Sequence, residues 1–145
     1  MTDRYDALKL ENQLCFPLYA CAKEIVKAYK PYLDELDLTY TQYITMMVLW
    51  EHKILRVKDL GKCLFLDSGT LTPLLKRLEE KGYVSRRRSA EDERDVIVTI
   101  TESGEALKEK AVTVPERLSA CVALDPEKAR TLYALLYEVI GSLMR

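Results

Sequence analysis

The sequence predicts a mainly α fold with one small β-hairpin. Three observations carry this. Apolar residues recur at three- and four-residue steps in several segments, the period of a helix with one buried face. Thr39, Asp67, Thr101 and Asp125 each stand just before such a segment, where a helix needs a side-chain cap. Two strand-like runs, at 83–88 and 95–100, flank a polar stretch, the pattern of a hairpin. With 145 residues and 48% hydrophobic content, the chain is sized for one domain, 1–145, with a real core.

In chain order, the first helix is expected from about Lys9 to Lys30. Leu14, Leu18, Cys21, Ala22, Ile25 and Tyr29 form its apolar face. Pro17 cannot donate to the carbonyl of Gln13, so a kink or a late helix start is expected beside Cys15. A short separate segment follows at Pro31–Leu36. Thr39-Tyr40-Thr41-Gln42 has the form of a capping box, with Leu38 and Tyr43 placed to close it as a staple. The helix it starts is apolar nearly all round and is expected to be buried. A short helix at about Val57–Leu64 and a tight connection at Phe65-Leu66 come next. The following helix is capped by Asp67 or Ser68, ends at Gly82 and buries Leu71, Leu74, Leu75 and Leu78.

Tyr83–Arg88 and Asp95–Ile100 are the hairpin strands, the second β-branched along its length. Thr101 caps a fifth helix that Pro115 interrupts or ends. Asp125 caps a sixth, with Pro126 in its first position. The apolar face of this last helix, from Ala129 to Leu143, suits packing between subunits. Helix, tight turn, capped helix and hairpin together are the order of a winged helix-turn-helix, spanning about 39–101. The flanking helices, about 9–36 and 102–145, are left for dimerisation.

Net charge is -1, which by itself says nothing for nucleic acid. Its distribution does. From Lys53 to Arg94 there are 11 Lys and Arg against 7 Asp and Glu, a net of +4, while the remainder nets -5. A winged module sets its second helix in the major groove and its hairpin beside the minor groove. Ser68, Thr70 and Thr72 are small enough for a deep approach there, with Lys76 and Arg77 on the same outward side. Arg86, Arg87 and Arg88 repel one another unless a polyanion relieves them, and Arg94 at the loop tip can enter a narrow minor groove. Asp92 is placed to brace Arg94 by a bidentate pair, or to form the turn, or both. Glu79, Glu80 and Lys81 read as solvated, mixed-charge surface.

One histidine, no Gly-rich phosphate loop and no clustered ligands argue against an enzyme, a metal or a cofactor. No apolar run resembles a signal peptide or spans a bilayer, so no membrane role is expected and the location defaults to the cytoplasm. The four cysteines fit no zinc spacing, and Cys21 and Cys63 read as small buried hydrophobes. Cys15 is the candidate reactive thiol. Nine tyrosines, Tyr19, Tyr29 and Tyr40 among them, can donate to a thiolate, or they form an ordinary aromatic core; the residues alone leave both readings open.

The run Leu66-Asp67-Ser68-Gly69-Thr70-Leu71-Thr72-Pro73-Leu74-Leu75-Lys76-Arg77-Leu78-Glu79, followed by Asp92-Glu93-Arg94, resembles the MarR family of winged-helix repressors. Glu11-Asn12-Gln13-Leu14-Cys15-Phe16 and Leu38-Thr39-Tyr40 narrow the resemblance to its organic-hydroperoxide sensors. The resemblance implies a homodimer on double-stranded operator DNA, released when organic hydroperoxides oxidise Cys15 to a sulfenic acid. It implies that Tyr29 and Tyr40, with Tyr19 as a third member, hydrogen-bond that thiol from the partner subunit. The released gene would then encode a thiol-dependent peroxidase. Pro17 departs from the expected pattern, and Cys21 and Cys63 are thiols the mechanism does not need.

A sulfenic acid needs a second thiol to become a disulfide. Cys121, at a junction expected to be mobile between Pro115 and Asp125, is the expected resolving thiol, pairing with Cys15 of the other subunit; some relatives have a cysteine in this region and others none. Its alternative is a small helix-end hydrophobe. Two rival functions stand beside the sensor: a regulator of the same family answering to a small aromatic ligand, and a thiol peroxidase.

Overall fold

The computed structural model describes residues 3–144. The chain divides into two compact units, one ending at Val114 and the other beginning at Pro115. The first unit opens with two short 3-10 turns, Asp6–Leu8 and Leu10–Asn12. Their backbone is tied locally: the Asn12 side chain donates to the Asp6 carbonyl at 2.7 Å and the Gln13 side chain to that of Ala7 at 2.7 Å. Helix α1 therefore starts late, at Cys15, and runs to Asp34. Pro17 falls in its first turn, where a backbone N–H has no partner inside the helix, so the missing donor costs little.

The expected separate segment at Pro31–Leu36 is not separate. Helix α1 passes through Pro31 to Asp34, and buried Leu33 and Leu36 hold this end on the core against the lost Pro31 bond. Helix α2, Tyr40–His52, starts with the expected capping box: the Gln42 N–H donates to Thr39 Oγ1 at 3.3 Å, and the Thr39 N–H to Gln42 Oε1 at 3.0 Å. Met46 and Leu49 on this helix are fully buried, as its composition requires.

Strand β1, Ile54–Arg56, was not legible from period, since three residues show no alternation. It pairs with the hairpin, giving an antiparallel sheet in the order β1-β3-β2, with β2 at Val84–Arg88 and β3 at Val96–Ile100. Central β3 buries Val98 completely. Helix α3, Val57–Leu64, joins helix α4, Ser68–Glu80, through Phe65, which takes a left-handed φ of 55°. A β-carbon on Gly61 would come within 2.7 Å of the Leu66 carbonyl oxygen, so this tight turn demands glycine there. Leu71, Leu74, Leu75 and Leu78 form the buried face of α4, as expected.

Helix α5, Glu102–Ala111, is capped by Thr101, whose hydroxyl accepts from the Gly104 N–H at 3.1 Å. Pro115 lies in the first turn of a further short helix, α6, Val114–Ser119, one more than the six helices read from the pattern. In the second unit, α7 runs Pro126–Leu143, and Asp125 accepts from the Lys128 N–H at 2.9 Å. Arg145, the end of the expected arm, lies outside the described residues. None of the described α7 residues is buried. Leu132, Leu135, Val139 and Leu143 are all exposed, and at the other end of the chain so are Leu8, Leu10, Leu14 and Phe16. No helix among the described residues is long and apolar enough to cross a membrane.

Candidate DNA interface and thiol site

Two neighbourhoods of the first unit carry the chemistry. At the start of α4, Asp67 Oδ1 accepts from the Thr70 N–H at 2.8 Å, and this bond holds the Asp67 carboxyl below the usual aspartate range. Ser68, Gly69, Thr70 and Thr72 are exposed on the turn that follows, with Lys76 and Arg77 exposed beyond them. The Thr72 hydroxyl donates back to the Ser68 carbonyl at 2.8 Å.

The wing contains the expected brace. Asp92 Oδ1 accepts from the Arg94 backbone N–H at 3.0 Å and from Arg94 Nε at 3.2 Å, while Oδ2 accepts from Nη2 at 3.4 Å. These bonds, the backbone one foremost, lower the Asp92 pKa. Arg94 itself is 91% exposed along its side chain. Its guanidinium is held by one carboxylate and projects from the loop.

The three consecutive arginines do not form one patch, because successive strand residues point to opposite faces. Arg86 Nη2 donates to Glu79 Oε1 at 3.2 Å, and the Arg86 backbone N–H donates to Glu79 Oε2 at 3.0 Å. Arg88 Nη1 donates to the Glu93 carbonyl at 2.7 Å. Arg87 is exposed. Glu79 and Lys81 are correspondingly not plain solvated surface. Glu79 holds Arg86, and Lys81 reaches the Asp37 carbonyl and, at 3.3 Å, Gln42 Oε1. The signal that was missed is distance along the chain: α4 turns back on β2 and on the α1–α2 junction. Arg56 adds a further tie, from β1 to Asp59 at 3.1 Å and to Asp95 at 3.5 Å.

Cys15 is the first residue of α1, with an exposed thiol. Tyr19, one turn later, is exposed as well. Cys21 and Cys63, expected to be buried, are exposed. On α3, Leu60 and Gly61 take the inward positions and turn Cys63 out, and α1 buries only Leu33. Tyr29 and Tyr40 come together, ring centroids 5.0 Å apart, and Tyr43 joins them at 5.7 and 6.5 Å. Burial, with Tyr40 beside it, raises the Tyr29 pKa; burial also pushes Tyr43 up to about 12. Tyr43 was not singled out as a site residue, although its place four residues from the Thr39 cap put it beside Tyr40.

Tyr29 and Cys15 stand on the same helix. Fourteen residues at the helical rise separate them by about 21 Å, so Tyr29 cannot donate to the Cys15 thiol of its own chain. In the second unit, Cys121 is exposed just beyond α6, and its thiol donates to the Arg117 carbonyl at 3.8 Å.

A capped outward helix after a tight turn, beside a hairpin carrying a braced arginine, defines a winged helix-turn-helix regulator. The family model described as "Transcriptional regulator SarA/Rot" matches residues 27–111. The organic hydroperoxide resistance transcriptional regulator of Bacillus subtilis (strain 168) is 49% identical over 143 residues, covering 99% of this chain and 97% of that protein. Among solved structures, reduced AbfR bound to DNA is similar with a TM-score of 0.81 and 31% identity, over 99% of this chain and 100% of that one. AbfR, a protein of Staphylococcus epidermidis, is also similar in its disulfide form, with a TM-score of 0.66 and 35% identity over 94% and 96% of the two chains. The chain belongs to the MarR family of winged-helix regulators, in the branch of the organic hydroperoxide regulators.

Proposed function

We propose that this protein is a cytoplasmic transcriptional repressor that holds operator DNA as a homodimer and lets go when an organic hydroperoxide oxidises Cys15. The observation that carries the reading is the pairing of two features on one chain. An exposed thiol opens the arm helix α1, and a braced, outward Arg94 tips the wing. The exposed apolar faces at both ends of the chain suit a second copy. That copy supplies what the helical separation denies within one chain: Tyr29 and Tyr40 of one protomer donating to the Cys15 thiolate of its partner.

In the oxidation, the Cys15 thiolate attacks the outer peroxide oxygen. An S–O bond forms, the O–O bond breaks, and the alkoxide leaves as the alcohol after taking a proton. Sulfur is oxidised to the sulfenic acid and the peroxide is reduced. The thiol of Cys121 in the other subunit then displaces the hydroxyl as water, and the disulfide repositions the DNA-binding elements. Ser68, Thr70, Thr72, Lys76, Arg77, Arg87 and Arg94 meet DNA, whereas Arg86 and Arg88 shape the wing.

The test is anisotropy of a duplex selected from a random library by the reduced protein, with and without cumene hydroperoxide. Native protein and Cys15→Ser both bind when reduced; the native protein is released by peroxide and Cys15→Ser is not. Equal release of both places the sensor elsewhere. Non-reducing electrophoresis after the same treatment gives a covalent dimer in the native chain and none in Cys121→Ser; a dimer that survives this substitution removes Cys121 from the mechanism.

A further inference from the structure

We infer that Glu79 is a positioning residue for the wing, fixing where Arg94 arrives on DNA; this rests on the DNA-binding reading above. Glu79 sits near the end of α4, next to buried Leu78 and four residues beyond buried Leu75, so its backbone is anchored to the core. Its two carboxylate oxygens take different partners on one strand residue, the main-chain N–H and the guanidinium of Arg86. Strand β2 is an edge strand. At Arg86, opposite Val98 of β3, the N–H points off the open edge, and Glu79 occupies the place a further strand or water would take.

The guanidinium side is closed as well. Arg86 Nε is buried and has no hydrogen-bond partner among the described residues. Its Nη2 bond to Glu79 therefore orients the group. Two attachment points on one residue set both the position and the roll of β2. Two residues on, Arg88 ties to the Glu93 carbonyl, and Asp92 grips Arg94 in the same loop. Three separate polar contacts, joined through the backbone of β2 and its loop, thus lie between the DNA-facing helix and the groove-facing arginine.

Charge alone gives the opposite expectation. A partly exposed carboxylate beside a polyanion weakens binding, so removing it strengthens attachment to any duplex. Positioning predicts weaker selective binding instead. The experiment is a double-mutant cycle in the full-length reduced protein, using the selected duplex and a scrambled duplex of the same composition. In the native chain, Arg94→Ala lowers affinity for the selected duplex by about tenfold or more. In Glu79→Gln, which cannot accept at both positions, the same change costs less than about threefold, while affinity for the scrambled duplex holds or rises.

An undiminished Arg94→Ala effect in Glu79→Gln overturns the inference, as does a parallel gain on both duplexes. If thermal melting shows Glu79→Gln to be unfolded, Glu79→Asp takes its place. Aspartate keeps the charge but is one methylene too short to reach both groups, and the same attenuation is expected; its absence overturns the inference. Failure of the native chain to prefer the selected duplex overturns the DNA-binding reading and this role with it. Selective binding with an unattenuated Arg94 effect overturns this role alone.

Discussion

Tyr43 is 2% exposed, and its hydroxyl, with Tyr29 and Tyr40 alongside, keeps its proton up to about pH 12. In the unfolded chain a tyrosine ionises near 10. Between these values the unfolded state has released a proton that the folded state still holds, so raising the pH favours unfolding. The stability due to neutral Tyr43 is complete below about pH 10 and is lost as pH rises toward 12. Thermal melting at pH 9 and pH 11 measures this, with Tyr43→Phe as the reference for lysines that titrate in the same range. The drop in melting temperature is expected to be smaller in Tyr43→Phe than in the native chain, and equal drops would show that burial does not hold the proton. The residue scale also shows where sequence reading stops. Asp92 and Arg94 are two positions apart, and their bond was legible. Glu79 and Arg86 are seven apart on different elements, and nothing in the local pattern distinguishes an arginine turned to DNA from one turned to a carboxylate.

Caps and turns made most elements legible, because they are local chemistry: Thr39, Asp67, Thr101 and Asp125 each accept the bond expected of them. Elements set by distant contacts were not. Strand β1 exists because β3 offers an edge to it, and α1 survives Pro31 because Leu33 and Leu36 find the core. Gly104 is the sharpest case. It lies in the first turn of α5, and a β-carbon there would strike the Tyr83 carbonyl oxygen and come within 2.8 Å of Ile100 Cγ1. The Gly104 carbonyl also accepts the buried Trp50 Nε1–H at 2.9 Å. Gly104→Ala is therefore expected to destabilise the protein by about 1–3 kcal/mol through overpacking, despite alanine's better helix propensity. Chemical denaturation checks it: a midpoint equal to or above the native one would mean that α5 can shift away from the hairpin without loss.

At the scale of the molecule, the winged module was legible as a charge block and a run of elements, and the arms as unpaired apolar faces. Which thiols are exposed was not, since Cys21 and Cys63 carry no local signal of the face they occupy. The arms set a thermodynamic expectation. Where a second copy covers them, folding and association are linked, and stability rises with protein concentration. The melting temperature is expected to increase between about 1 and about 100 μM chain, with sedimentation reporting a dimer over that range. A concentration-independent melt together with a monomeric sedimentation coefficient would leave the exposed faces to some other occupant.

Trp50 gives the protein an optical reporter of its own interior. It is the single tryptophan of the chain, 8% exposed, with its ring edge-on to Tyr43 at 6.4 Å. Its emission is therefore that of an indole shielded from water, fed by excitation passing from the neighbouring phenol. Events confined to the wing leave this light unchanged. A movement that parts α2 from α5 breaks the Trp50–Gly104 hydrogen bond, lets water reach the indole and shifts the emission to the red, while transfer from Tyr43, on the same helix, is retained. A stopped-flow trace after peroxide addition thus times the internal rearrangement separately from the loss of DNA, with no label added.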